Sequence, residues 1–228
     1  MGLKKNLLDL IFPQFCLGCG KEGESFCGDC RGELKISPQS ICPICKSADE
    51  ARHCPGSPLE NLWALAGYRD NFAAAAIQKI KYGYCVDLVG KYWQGFLSAF
   101  WQKARVEISG RAILIPVPLH RKRFLERGFN QSELVADALS RISDLQVDID
   151  LLKRVKHNEP QVGLSGARRL DNIKGIFEIN SRALSDSWGR EIILIDDVYT
   201  TGSTMAECAR VLKAAGFKHV SGLVLAVD

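Results

Sequence analysis

The sequence predicts an α/β protein with a mainly parallel sheet and flanking helices, preceded by a small cysteine-rich module. Three observations carry that prediction. Strand-like and helix-like apolar patterns alternate from about residue 60 onward, the order that builds a parallel sheet. Ala112–Val117 (AILIPV) and Ile192–Ile195 are continuous apolar runs, as expected of strands buried on both faces. Ahead of residue 60 the chain is rich in Cys, Gly, Pro and Ser and shows little periodicity. The shift in composition falls between Pro58 and Leu62, which divides the chain into a module over 1–60 and a domain over 61–228.

Within the domain, Leu62–Tyr68 reads as a strand, and Phe72–Lys81 and Asp87–Lys103 as helices. The strand Ala112–Val117 follows. Gln131–Ile142 is helical, with Leu134, Val135, Ala138 and Leu139 on one stripe. Ile176–Ile179 and Glu191–Ile195 read as strands. Thr204–Ala215 is a helix ended by Gly216, and His219–Val227 closes the chain as a strand. A chain of 228 residues that is 46% apolar and 25% charged has the balance of a globular protein with one sizeable core. Its net charge of +4 permits an anionic partner without demanding one. No apolar stretch approaches the roughly 18 residues of a membrane span, and MGLKKNLLDLIFPQF lacks a small-residue cleavage site. A cytoplasmic location is expected.

Of nine cysteines, seven lie in the first 54 residues, six of them as Cys-x-x-Cys pairs. Without a secretion signal, such pairs point to metal rather than to disulfides. Cys16 and Cys19, then Cys27 and Cys30, form one complete four-thiolate set, the donor number and softness that tetrahedral Zn²⁺ takes. A polar segment this small buries too little to order itself, so metal is expected to hold it together. The second set is incomplete. Cys42 and Cys45 are followed by His53 and Cys54, while position 57, where another knuckle would close, is Ser57. The spacing therefore leaves open one zinc or two, and also pairing across the sets. A closed thiolate site has no free position, so the metal is structural. Cys85 and Cys208 stand alone in helical segments and read as buried, inert thiols.

The stretch IILIDDVYTTGST (192–204) combines a strand, two carboxylates and a hydroxyl-rich turn before a helix. Thr200, Thr201, Gly202, Ser203 and Thr204 offer backbone N–H groups at a helix N-terminus, where the orphan amides and the dipole favour a phosphate. Asp196 and Asp197 sit at the carboxyl end of the strand, where open α/β sheets bind ligands. Carboxylates repel phosphate but accept hydrogen bonds from sugar hydroxyls. Ribose 5-phosphate has a diol and a phosphate at that spacing.

The same stretch resembles the phosphoribosyl-pyrophosphate (PRPP) signature of type I phosphoribosyltransferases: an apolar run, two acids, then Thr-Thr-Gly-x-Thr. Pro116-Val117-Pro118-Leu119-His120, Arg123 and Arg127-Gly128-Phe129-Asn130-Gln131 are similar to the ComF family, which includes the GntX-like DNA-utilization proteins. So are Pro160-Gln161, Leu164-Ser165, Arg168-Arg169, Asn172 and Gly175-x-Phe177. The resemblance covers nearly the whole chain. It implies a double zinc ribbon joined to a type I phosphoribosyltransferase domain; Ser57 is the departure, and it bears on the second zinc.

That resemblance implies catalytic or ribose-binding roles for Asp196 and Asp197, and a 5-phosphate loop over Thr200–Thr204. It places a pyrophosphate-binding basic loop after Val117, with His120, Arg121, Lys122, Arg123 and Arg127, and a mobile active-site loop around Arg168 and Arg169. Lys79, Lys81 and Tyr82 would line a hood. The expected activity is Mg²⁺-dependent transfer from PRPP to an unidentified acceptor. The alternative is a PRPP-sensing or nucleic-acid-binding module serving DNA uptake, with single-stranded DNA or competence proteins as partners.

Overall fold

The computed structural model describes residues 15–16, 19–23, 27–33, 40–49, 54–67, 77–78, 97–98, 100–102, 108–156, 174–183 and 189–228. Among them, helix α1 spans Gly28–Glu33. Strands β1 (Ser40–Ile41), β2 (Leu62–Gly67) and β3 (Ile113–Pro116) follow, then helices α2 (Arg121–Arg127) and α3 (Gln131–Ser143). Next come β4 (Gln146–Val147), β5 (Leu152–Arg154), β6 (Phe177–Ile179), β7 (Ile192–Tyr199), α4 (Ser203–Ala214) and β8 (Val220–Val227). One sheet runs β1-β2-β8-β7-β3-β4, and β5 and β6 form a separate antiparallel pair. Only β1 runs antiparallel to its neighbour in the large sheet. The expected mainly parallel α/β architecture is therefore present.

The apolar runs account for the layering. Side chains alternate across a strand, so Ile193 and Ile195 enter one buried cluster and Ile192 and Leu194 the other. Helix α3 covers the first face with Val135, Ala136, Ala138 and Leu139. Helix α4 covers the second with Met205, Cys208, Ala209 and Leu212. A strand buried on both faces has no need of polar alternation, which is why β7 opens with four apolar residues. Gly222 of β8 lies opposite both Leu62 and Leu194, and a Cβ there would run into the Met205 sulfur. Absence of a side chain is what lets α4 sit this close.

The connections move in opposite senses. From β3 the chain passes through α3 to β4 at one edge, whereas from β7 it passes through α4 to β8 on the other side. Because α3 and α4 lie on opposite faces, a crevice opens beyond the carboxyl ends of β3 and β7. Open α/β sheets bind ligands at such switch points.

Several elements differ from the sequence expectation. The strand expected to stop at Ile195 continues to Tyr199, because β8 goes on pairing with it through Asp196↔Val224, Val198↔Ala226 and Tyr199↔Val227. The basic loop after Val117 is largely the helix α2. Strands β1, β4 and β5 are short and carry too little periodicity to be read. Phe177–Ile179 is a strand, but it pairs with β5 outside the main sheet. Of the helices expected over 72–81 and 87–103, residues 77–78, 97–98 and 100–102 are described and helical.

Candidate functional site

Two segments meet at the switch point. The first leaves β3 at Val117, whose N–H donates to the Ile195 carbonyl at 2.9 Å. It then forms α2. His120 is the N-cap, its Nδ1 accepting from Lys122 N at 3.1 Å, and Gly128 closes the other end. No residue of α2 is buried, so the helix presents Arg121, Lys122, Arg123 and Arg127 with Phe124 and Leu125, which are 43% and 72% exposed. Asn130 then joins the ends of this excursion. Its Nδ2 donates to the Val117 carbonyl at 3.1 Å while its Oδ1 accepts from Ser132 N, capping α3.

The second segment leaves β7. Asp196 and Asp197 are half-buried on its last turn of strand. Asp196 Oδ1 accepts from Ser132 Oγ at 3.1 Å and from Asp197 N at 2.8 Å, so two donors set the direction of that carboxylate. Beyond them, Thr200 and Thr201 are exposed, whereas Gly202 and Ser203 are buried. Gly202 is the N-cap of α4 at φ 74°, a left-handed conformation that L side chains rarely adopt. Thr201 Oγ1 and Ser203 Oγ share a hydrogen bond of 2.8 Å. Glycine supplies no side-chain cap, and Ser203 N makes only a long bond to Thr201 Oγ1 at 3.5 Å, so the first turn keeps backbone donors for a ligand. Carboxylates, hydroxyls and helix amides thus converge within one turn of chain, as a sugar phosphate requires.

Charge around the site comes partly from residues the sequence did not single out. Arg154, at the end of β5, lies over the Phe177 ring at 5.6 Å. Burial lowers its pKa, Arg123 lowers it further and Asp196 raises it, so these three charges feel one another. Cys208 is fully buried, and burial holds its thiol well above the ordinary value, as expected of an inert cysteine. Cys85, His53, Arg168, Arg169, Lys79, Lys81 and Tyr82 lie outside the described residues.

The cysteines gather into two clusters. Cys16, Cys19, Cys27 and Cys30 bring their sulfurs within 4.8 Å of one another. Cys27 Sγ stands 3.6 Å from both Cys16 Sγ and Cys19 Sγ. Four sulfurs about 2.3 Å from one zinc, at tetrahedral corners, stand about 3.8 Å apart, so the donor set fits that metal. Burial and the neighbouring thiols raise the Cys30 thiol, a crowding that a cation relieves. Cys42, Cys45 and Cys54 form the second cluster. Burial pushes the Cys42 thiol up, but backbone N–H groups of Cys45, Cys54 and Ile44 outweigh it and bring it down to about 6. Cys54, beside Cys45, is pushed up to about 11. Among the described residues the cysteines cluster within each half of the module and not across the halves.

The second cluster abuts the turn that follows β7. Tyr199, the last residue of β7, donates its phenol to the Pro43 carbonyl at 2.8 Å. Burial, aided by Cys42, pushes that phenol up to about 12, so it remains a donor. No helix among the described residues is long and apolar enough to cross a membrane.

Comparison with known proteins matches two parts of the chain. The double zinc ribbon domain family matches residues 7–57, and the phosphoribosyl transferase domain family matches residues 127–228. Competence protein F of Haemophilus influenzae is 29% identical over 214 residues, covering 90% of this chain and 86% of that protein. Competence protein ComFC of Bacillus subtilis is 30% identical over 208 residues, 86% of this chain and 81% of its own. DNA utilization protein YhgH of Escherichia coli K12 is 38% identical over 103 residues, 45% of this chain and 44% of its own. With a zinc-ribbon front end, a phosphoribosyltransferase-like sheet and identity running along most of its length, this chain belongs to the ComF family of competence and DNA-utilization proteins.

Proposed function

We propose that the protein binds PRPP at the switch point and is a phosphoribosyltransferase of the ComF family, acting in the use of imported DNA. The observation that carries this reading is the Asp196–Asp197 pair, with the Asp196 carboxylate oriented by two donors, one short turn ahead of the α4 N-terminus. In this reading Asp196 and Asp197 hold the ribose hydroxyls, and Thr200, Thr201, Gly202, Ser203 and Thr204 hold the 5-phosphate. Arg123 and Arg127 face the departing pyrophosphate, and Arg168 and Arg169 close over it. Mg²⁺ supplies further charge neutralisation to the pyrophosphate. As the C1–oxygen bond breaks, the sugar gains cationic character, which the two carboxylates stabilise while an acceptor nitrogen attacks. The domain over 61–228 carries this chemistry, and the module over 1–60 is held by structural zinc.

A second reading rests on α2. Its exposed Phe124 lies among four basic residues, a combination suited to stacking a base beside a phosphate of single-stranded DNA. The relatives named for competence and DNA utilization agree with such a partner. Here PRPP is a regulatory ligand and is not consumed.

One pair of measurements separates these readings. Pyrophosphate release from PRPP with candidate nitrogen acceptors supports the enzyme; PRPP binding without turnover supports the sensor. For the site itself, Asp196→Asn with Asp197→Asn keeps shape and removes charge. Hydrogen bonds to a charged acceptor contribute about 1.5–3 kcal/mol each, so PRPP affinity is expected to fall at least about tenfold to a hundredfold. Inorganic phosphate, which lacks a diol, should bind as before or slightly better. Parent-like PRPP affinity in the double variant removes the ribose assignment.

A further inference from the structure

The two cysteine clusters differ in what the fold attaches to them. Cys16, Cys27 and Cys30 belong to the buried cluster that includes Trp63 and Leu65. Cys42 instead follows directly on β1, which pairs with β2 through Ser40↔Trp63 and Ile41↔Leu62 at the sheet edge. The turn after it is tightly bonded: Cys42 N donates to the Ser47 carbonyl, Lys46 N to the Cys42 carbonyl, and Cys54 N to Cys42 Sγ at 3.3 Å. Lys46 adopts φ 59°, a strained conformation for a residue other than glycine.

That turn grips the end of β7 at two points. Pro43 O accepts the buried hydrogen bond from Tyr199 Oη, across 156 residues of sequence. Lys46 Nζ donates to the Asp228 carbonyl, and Asp228 N donates to the Tyr199 carbonyl at 3.0 Å. The Tyr199 ring in turn lies against Gly202, so closely that a Cβ there would overlap its phenol oxygen and Cζ. Pro43 on one side and Gly202 on the other thus hold the phenol between the Cys42–Cys45 turn and the N-cap of α4.

We infer that the second cysteine cluster positions the 200–204 turn: metal held by Cys42, Cys45 and Cys54 fixes the Pro43 carbonyl, which fixes Tyr199, which fixes Gly202. The three sulfurs lie within 4.8 Å of one another, the separation that a shared thiolate-bound cation such as zinc needs. Metal bound there restrains a turn that otherwise carries its own strain at Lys46, and the restraint passes to the turn through one hydrogen bond and one ring contact. Tyr199 is a positioning residue, since it acts through Gly202. The inference rests on the reading of Thr200–Thr204 as the phosphate loop, and it makes phosphate affinity depend on metal content.

The test uses the full chain with its metal and reads hydrogen exchange of the Thr200–Thr204 amides, metal content, and calorimetry with PRPP and inorganic phosphate. Cys45→Ser is expected to lower metal content, to speed exchange across the turn about tenfold, and to weaken both ligands alike. Tyr199→Phe keeps the ring against Gly202 and removes the phenol oxygen, with its bond to Pro43 and its own contact to Gly202. It should retain metal and speed the same amides about twofold to tenfold, while the amides of α3 keep the parent's rates. Unchanged exchange at 200–204 in both variants overturns the inference, and so does acceleration that spreads equally to α3. Failure of the parent to bind PRPP and phosphate overturns the phosphate-loop reading instead; the exchange rates still decide whether the cluster and the turn are coupled.

Discussion

Glu207 offers a stringent test of how α4 is anchored, because it is a charged residue only 6% exposed. Its Oε1 accepts from Gly175 N at 2.7 Å and from Arg210 Nη2 at 2.8 Å, and its Oε2 from Arg210 Nε at 2.7 Å. The Arg210 guanidinium, with the Gly175 amide adding, holds the carboxyl below its ordinary range. Glu207→Gln preserves volume but replaces one acceptor oxygen with a donor that faces other donors. The bond from the half-buried Gly175 amide contributes about 1.5–3 kcal/mol as a charged pair and about 0.5–1.5 as a neutral one. Arg210 is 55% exposed, so solvent holds its pair to about 0–1 kcal/mol. A loss of about 2 kcal/mol follows, or about 4–8 °C in Tm for a chain of this size. Because the folded pKa is depressed, the carboxylate stabilises the fold above its unfolded value of about 4.3. That contribution is lost as pH falls through the folded value. Thermal melts of parent and variant should therefore differ at pH 7 and converge in acid. Equal Tm at pH 7, or a gap that survives below the folded pKa, refutes the reasoning.

The metal and pyrophosphate assignments each have a direct check. Cys27→Ser should lower zinc content by elemental analysis and open the front end to proteolysis, since Cys27 Sγ stands between the other sulfurs; full zinc in a Cys16/Cys27 double variant rejects that ligand set. Arg123→Ala with Arg127→Ala should weaken PRPP more than ribose 5-phosphate by calorimetry, because only PRPP carries pyrophosphate; equal losses move both arginines out of that subsite.

Ile192–Ile195 and the stripe on α3 were legible because burial on one or two faces leaves a periodic trace in apolar residues. The end of β7 was not: Asp196 to Tyr199 extend the strand by backbone pairing to β8, and the two carboxylates interrupt the apolar run before Val198 and Tyr199 return to the buried clusters. Helix α2 escaped for the opposite reason. With no residue buried, it has no stripe, and only its His120 and Gly128 caps mark its limits. Asp196, Asp197 and Thr200–Thr204 could be picked out because they are contiguous. Ser132, Arg154, Glu207 and Tyr199 could not, since each acquires its partner only when distant strands come together. Tyr199 lies in sequence beyond the expected strand end at Ile195, and nothing local foretells Pro43.

The hydrogen bond from Asn130 to Val117 has a consequence for how this surface changes over generations. It fastens residues 13 apart in sequence, so that everything between them hangs from a closed neck. Helix α2 contributes nothing to either buried cluster, and its exchange for another segment of similar length leaves the sheet, α3 and the Asp196 carboxylate where they are. The charge and aromatic content over 121–127 is therefore open to selection at little cost in stability, whereas Phe129 packs against the first buried cluster and is held there. Within the neck, relatives are expected to differ at Arg121, Lys122, Phe124, Leu125 and Glu126 and to keep the motif positions Arg123 and Arg127, each adapting the same frame to its own anion or strand.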